Sequence, residues 1–197
     1  MCPKFQIYGK NLKEIKANTE VTNNPLVGYL LTETLSSKDH LDMINGKVRG
    51  GIYALKSNKA LPTEVKKSIY YATIHSHLVY AGTITGCVQE SQLKNLAKLQ
   101  KIAMRIIDNA KYNAGTTEIF KKHKILKIQD LLKLKAVCYA WKYFHGELPS
   151  AISELMSTGG TRIHQLKGCR YSKEKHKKHS PIDYCIRTWN PLPLDLN

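Results

Sequence analysis

Between residues 41 and 144 apolar side chains recur every three or four positions, a spacing that restricts this stretch to packed amphipathic helices. Leu41, Ile44, Val48, Ile52 and Leu55 mark the inner face of a first helix. Ser36 or Ser37 is placed to cap it, with Asp39 in a first turn where the helix dipole favours an acid. Pro62 and Glu64 open a second helix, whose expected stripe is Val65, Ile69, Ala72 and Leu78. A third begins near Ser91, with Leu93, Leu96, Leu99, Ala103, Ile106 and Ile107 directed inward. A short helix is expected over 117–123. In the long helix that follows, Ile128, Leu131, Leu134, Val137, Trp141 and Phe144 should face the core, with Gly146 and Pro149 as its stop. A last short helix is expected over 150–156. Gly50-Gly51 falls inside the first helix, where close packing or a local kink is the expected reason for it. Cys138, in the long helix, reads as a small core residue.

The flanks differ. Over 4–31, Phe5 and Ile7 alternate with polar neighbours, and Gly9-Lys10-Asn11 and Asn23-Asn24-Pro25 are turn signals. Leu26 to Leu31 is a short apolar run. Two or three strands are marginal alone, so this segment is expected to rest on a neighbour outside it. Beyond Thr158-Gly159-Gly160 the chain turns rich in Lys, Arg and His. The expected architecture is mainly α: a small β segment over 1–35, a bundle of four or five helices over 36–157, and an irregular basic tail over 158–197.

Charge narrows the function. The 197 residues hold 31 Lys and Arg against 15 Asp and Glu, a net +16, which favours polyanionic partners. No apolar run approaches the roughly 20 residues of a membrane span, and no apolar signal segment follows Met1-Cys2-Pro3. The expected location is intracellular, in nucleus or cytoplasm, with no membrane partner. The five scattered cysteines do not suggest a disulfide framework.

The cations are arranged. Lys94, Lys98, Lys101 and Arg105 recur at i, i+4, i+7 and i+11, on a face apart from the leucines. Such a row runs roughly 16 Å and can follow several phosphates. The plainer reading is a solvated polar face, which lysine supplies by default. Lys121, Lys122 and Lys124 form a second cluster, and Arg170, Lys173, Lys175, Lys177 and Lys178 a third.

The order of these signals resembles the region after the palm of jockey-like reverse transcriptases, of the non-LTR (LINE-type) retrotransposons. Leu35-Ser36, His40-Leu41, Ile44, Lys47, Gly51-Ile52 and Leu55 begin the collinear series. Leu61-Pro62, Ile69-Tyr70, Ile74 and Leu78-Val79-Tyr80 continue it. Leu93, Leu96, Leu99-Gln100, Ala103, Arg105 and Ile107 are similar to that group's Leu, Leu, Gln, Ala, Arg, Ile pattern. Thr117, Ile119-Phe120, Ile125-Leu126 and Leu148-Pro149 follow, and Trp189-Asn190-Pro191-Leu192-Pro193 matches its terminal motif. There are departures: Leu26-Val27-Gly28-Tyr29 replaces Tyr-Leu-Gly-Val, Thr32 replaces an Asp, and Thr85 stands where a Trp is usual. The resemblance implies a thumb and downstream region that grips a primer–template duplex through backbone contacts.

Reverse transcription needs clustered carboxylates to hold two divalent metals, and in that family they lie in the palm. This chain has no Asp-Asp pair. Asp39 and Asp42, three apart on a helix, read as an N-terminal dipole contact and a solvated face. Cys169, His176, His179 and Cys185 include one ligand pair at zinc spacing, His176 and His179, and lack the paired cysteines of a zinc knuckle. His75 and His77 fall on different sides of a helix. The expectation is a chain with no catalytic residue, no metal site and no cofactor. Its expected partners are RNA or an RNA–DNA duplex and the palm of a full-length parent. The alternative is a helical interaction or structural module whose charge aids solubility. The oligomeric state stays open.

Overall fold

The computed structural model describes residues 38–80, 82–86, 88, 90–159, 165–168 and 180–192, and the backbone of four short strands before them. The chain divides into two compact units, 1–40 and 41–197. It is mainly α, as the periodicity implies, with only two-stranded antiparallel sheets among the described residues.

In the first unit β1 (Gln6–Ile7) pairs with β2 (Lys10–Asn11), and β3 (Asn24–Leu26) pairs with β4 (Tyr29–Leu31). The turn signals are displaced by a few residues. Lys10, Asn11, Asn24 and Pro25, expected in turns, lie in strands. Pro25 is tolerated because a two-stranded ribbon consists only of edges.

The helices are α1 (Lys38–Ser57), α2 (Thr63–Tyr70), α3 (Ser76–Val79), α4 (Gly82–Gly86), α5 (Glu90–Ile107), α6 (Thr117–His123), α7 (Ile128–Phe144), α8 (Ser150–Ser153) and α9 (Pro181–Trp189). A π-helical turn, Tyr71–His75, joins α2 to α3 without a break. Leu41, Ile44, Val48, Ile52 and Leu55 are all buried, so the first expected face is the real one. Gly51 explains its own presence: a Cβ there would lie 2.6 Å from Ile74 Cγ1 and 2.8 Å from Thr73 Oγ1. At Gly50 the same atom would meet nothing within 4 Å.

Two expected stripes need correction. From α2 through the π turn into α3 the buried residues are Lys66, Tyr70, Ile74 and Leu78; Leu78 is buried as expected, while Val65 and Ala72 are exposed. The wider π turn absorbs a residue, so positions four apart stay on one face through it. In α7, Leu134 and Trp141 are 45% and 44% exposed, whereas Leu132, Ala136 and Ala140 are buried. Positions three apart on an α-helix drift by about 60° per step, so a stripe read at that spacing walks around the axis. Cys138, expected in the core, is exposed as well.

Most buried side chains of α1, α2, α3, α5, α6 and the start of α7 form one apolar cluster. A second cluster gathers Ala140, Met156, Leu166, Phe144, Ile182, Ile186 and Trp189. It is built on a hairpin that the sequence did not announce. Residue 156, expected in a helix, opens β5 (Met156–Thr158), which pairs antiparallel with β6 (Leu166–Gly168). The tail is therefore not irregular throughout: β6 and α9 pack together, and α9 packs on α7. Trp189 lies on Phe144, ring centroids 5.2 Å apart. The Asn190 side chain meets both polar groups of Leu166, accepting from its N–H at 3.0 Å and donating to its C=O at 3.1 Å. The amide thus pairs with the β6 backbone much as another strand would.

Candidate nucleic-acid interface

Helix α5 has two opposed faces. Leu93, Leu96, Gln100, Ala103, Met104 and Ile107 are buried, and Lys94, Lys98 and Lys101 are exposed on the other side. No ion pair engages these three lysines among the described residues. They span about 10 Å along the axis, close to three phosphate steps of one strand. Arg105, the expected fourth member, is half-buried, and its Nε donates to the Ala114 carbonyl at 2.9 Å. The guanidinium closes the loop after α5, so Arg105 is first a structural residue.

The polar residues of the inner face hold α5 in place. Gln100, 1% exposed, donates from Nε2 to the Tyr70 hydroxyl at 3.0 Å and to the Leu126 carbonyl at 2.9 Å. Its Oε1 accepts from the Ile128 N–H at 2.8 Å. One amide therefore ties α5 to α2 and to the start of α7. Burial pushes the Tyr70 phenol up to about 12, although the Gln100 bond pulls the other way. Lys66 is fully buried beside the C-terminal end of α5, where its ammonium donates to Asn109 Oδ1 at 2.8 Å and the Ile106 carbonyl at 3.4 Å. A cation suits that end of a helix, where carbonyls lack partners and the dipole is negative.

The second cluster is partly engaged. Lys121 pairs with Glu118 at 3.1 Å, and Lys122 with Asp108 at 2.6 Å. Buried His123 reaches the same Asp108 oxygen at 3.0 Å. The Lys122 bond, with His123 behind it, holds the Asp108 carboxyl below its ordinary value. A carboxyl lowered in the folded chain contributes stability that is present above the unfolded value and lost as pH falls through the folded one. Asp108→Asn should therefore cost about 1 kcal/mol at neutral pH and flatten the loss of stability below about pH 4. Urea midpoints across an acid series check this; an unchanged acid limb would refute the linkage. Lys124 is exposed and left-handed (φ 54°), ending α6 in the conformation glycine usually supplies. Arg170, Lys173, Lys175, Lys177 and Lys178 lie outside the described residues.

His75 and His77 are both half-buried. Burial first, then the charge of Lys135 for His75 and of Lys47 for His77, lowers both below the usual imidazole value. Among the described residues no three His, Cys, Asp or Glu gather as metal ligands, and no helix is long and apolar enough to cross a membrane. Cys169, His176 and His179 fall outside those residues, and Cys185 is buried in α9.

Comparison with family models, curated proteins and solved structures gives no match. The burial of Lys66 and His123 was not legible in the sequence, because a lone lysine or histidine reads as solvated. Gln100 was signalled only by its place in the resembling pattern, since periodicity does not assign an amide to a core.

Proposed function

We propose that this chain is a non-catalytic C-terminal portion of a retrotransposon-type RNA-directed DNA polymerase, and that it grips RNA or an RNA–DNA duplex by its phosphates. The observation that carries the binding half is the row Lys94, Lys98 and Lys101, exposed and without ion pairs among the described residues. The origin half rests on the collinear sequence resemblance and on the missing Asp-Asp pair. Contacts of this kind position a duplex and carry no sequence information. Polymerase chemistry would come from the palm of the parent, and the site of action would be intracellular.

Each phosphate neutralised adds about 0.9 to the slope of log affinity against log salt on duplex DNA. Lys94→Gln, Lys98→Gln and Lys101→Gln together should lower that slope by about 2.7, the product of three contacts and that increment. The same change at exposed Lys47, Lys56 and Lys59 should lower it less. Anisotropy titrations over a salt series decide the matter. The second reading, a helical protein-interaction module, is favoured by the apolar positions Leu134 and Trp141 left exposed on α7. It requires that the α5 triple variant keep the parental slope.

A further inference from the structure

We propose that Trp141 and His145, at the C-terminal end of α7, form a stacking platform for an unpaired nucleobase. This inference rests on the nucleic-acid reading and adds a second kind of contact to it. The two rings are four residues apart and stacked face to face, centroids 3.8 Å apart and planes within 23°. The imidazole is held there: its Nδ1 lies 2.9 Å from the Trp141 carbonyl. A carbonyl only accepts, so Nδ1 carries the proton and the ring orientation is set before any ligand arrives. Ordering two exposed aromatic side chains in advance lowers the entropy lost on binding.

Neither ring serves the core. Trp141 is 44% exposed and His145 is exposed, and both lie outside the two apolar clusters. An indole kept at the surface forgoes hydrophobic stabilisation that burial would supply. What it offers is a flat π surface extended by the imidazole. Every base has a π-face, so such a surface binds bases with little regard to sequence. Bases within a duplex are already paired and stacked, whereas those of single strands, loops and ends are free to lie on an aromatic ring. Lys142, next to Trp141 in the chain, is exposed and without an ion pair among the described residues, and puts a positive charge at this end of α7 for an adjoining phosphate.

The same exposed side of α7 includes Leu134 and Cys138. A second copy of the chain is disfavoured as its occupant, because each copy carries +16 and like charges repel. The preformed planar stack and the neighbouring cation favour the nucleobase.

The test uses the full chain with Trp189→Phe, which leaves Trp141 as the one indole. An unstructured RNA of about eight nucleotides is compared with an abasic strand of equal length, about the site size of one single-strand module. The base-bearing strand should quench Trp141 fluorescence and the abasic strand should not. Trp141→Ala should weaken binding of the base-bearing strand roughly tenfold, leave the abasic strand unaffected, and Trp141→Phe should restore most of the loss. Because Trp141 lies outside both clusters, the alanine variant keeps the fold, which circular dichroism verifies. Equal affinity for the two strands, or no effect of Trp141→Ala, overturns the inference. So does a fluorescence change that follows protein concentration alone, which would assign the face to self-association. Duplex binding with the α5 salt slope intact but no base-dependent signal overturns the stacking site only. Absence of binding to any strand at low salt overturns both readings.

Discussion

Replacing Gln100 by alanine should destabilise the chain by about 2–4 kcal/mol, because two buried groups and one part-buried carbonyl lose their partner at once. The Tyr70 hydroxyl, the Leu126 carbonyl and the Ile128 N–H all depend on this amide. A buried polar group left unsatisfied costs about 1–3 kcal/mol, more than the bond itself contributes when made. The side chain is 1% exposed, so water does not readily take its place. Gln100→Glu is the sharper variant. Glutamate keeps the acceptor for Ile128 and replaces the donor to Leu126 with an oxygen facing an oxygen. It should destabilise the chain at neutral pH and recover in part in acid, as the carboxyl takes up a proton and can donate. Urea unfolding of both variants measures this. A loss below about 1 kcal/mol for alanine would show that the three groups find other partners.

Leucine at Gly51 should cost about 3 kcal/mol, and leucine at Gly50 should stabilise by a little under 1 kcal/mol. The two glycines are adjacent on one helix, so composition and propensity predict the same gain at both. What separates them is the neighbour. Beyond Gly51 stand the Ile74 side chain, the Thr73 hydroxyl and, at 3.1 Å, the Thr73 carbonyl. Ile74 is fully buried and the carbonyl belongs to the π turn, so neither can withdraw without moving the backbone. Leucine there would drive α1 from the π turn. Thermal or urea midpoints of the two variants should move in opposite directions; shifts of the same sign would show that the approach of α1 to the π turn is not close in solution.

The helices and the inner faces of α1 and α5 were legible because simple amphipathic periodicity suffices where a helix packs on one side. Thr117–His123 falls where the sequence placed it, as do the limits of α7. Misreadings occurred where a helix departs from that condition. The π turn changes the residue count per turn, and α7 buries Ile128, Leu131 and Leu132 in one cluster and Ala140 in another. Alanine carries little hydrophobic signal, so Ala136 and Ala140 are not legible as core beside the larger Leu134 and Trp141. The β5–β6 hairpin escaped notice because each strand has three residues and one buried side chain, too short for alternation to register. At the interface, spacing located the row on α5 but could not foresee that Arg105 is drawn to the Ala114 carbonyl. That contact joins positions nine apart, from the last turn of α5 to the loop after it, and depends on where the chain turns back.

The position of α7 between two apolar clusters bears on cooperativity. A helix buried against one core can fray from its free side while that core persists. Here the first turns of α7 belong to the larger cluster and its last turns to the smaller one, with Ala136 fully buried in the stretch between. Melting the C-terminal hairpin and α9 would strip one side of the same hydrogen-bonded rod that the larger cluster uses on another side. The free energy of either cluster is therefore coupled through α7 to the other. The described residues of α7 and the two clusters it joins are in this sense one foldon, and the platform at the end of α7 depends on both clusters.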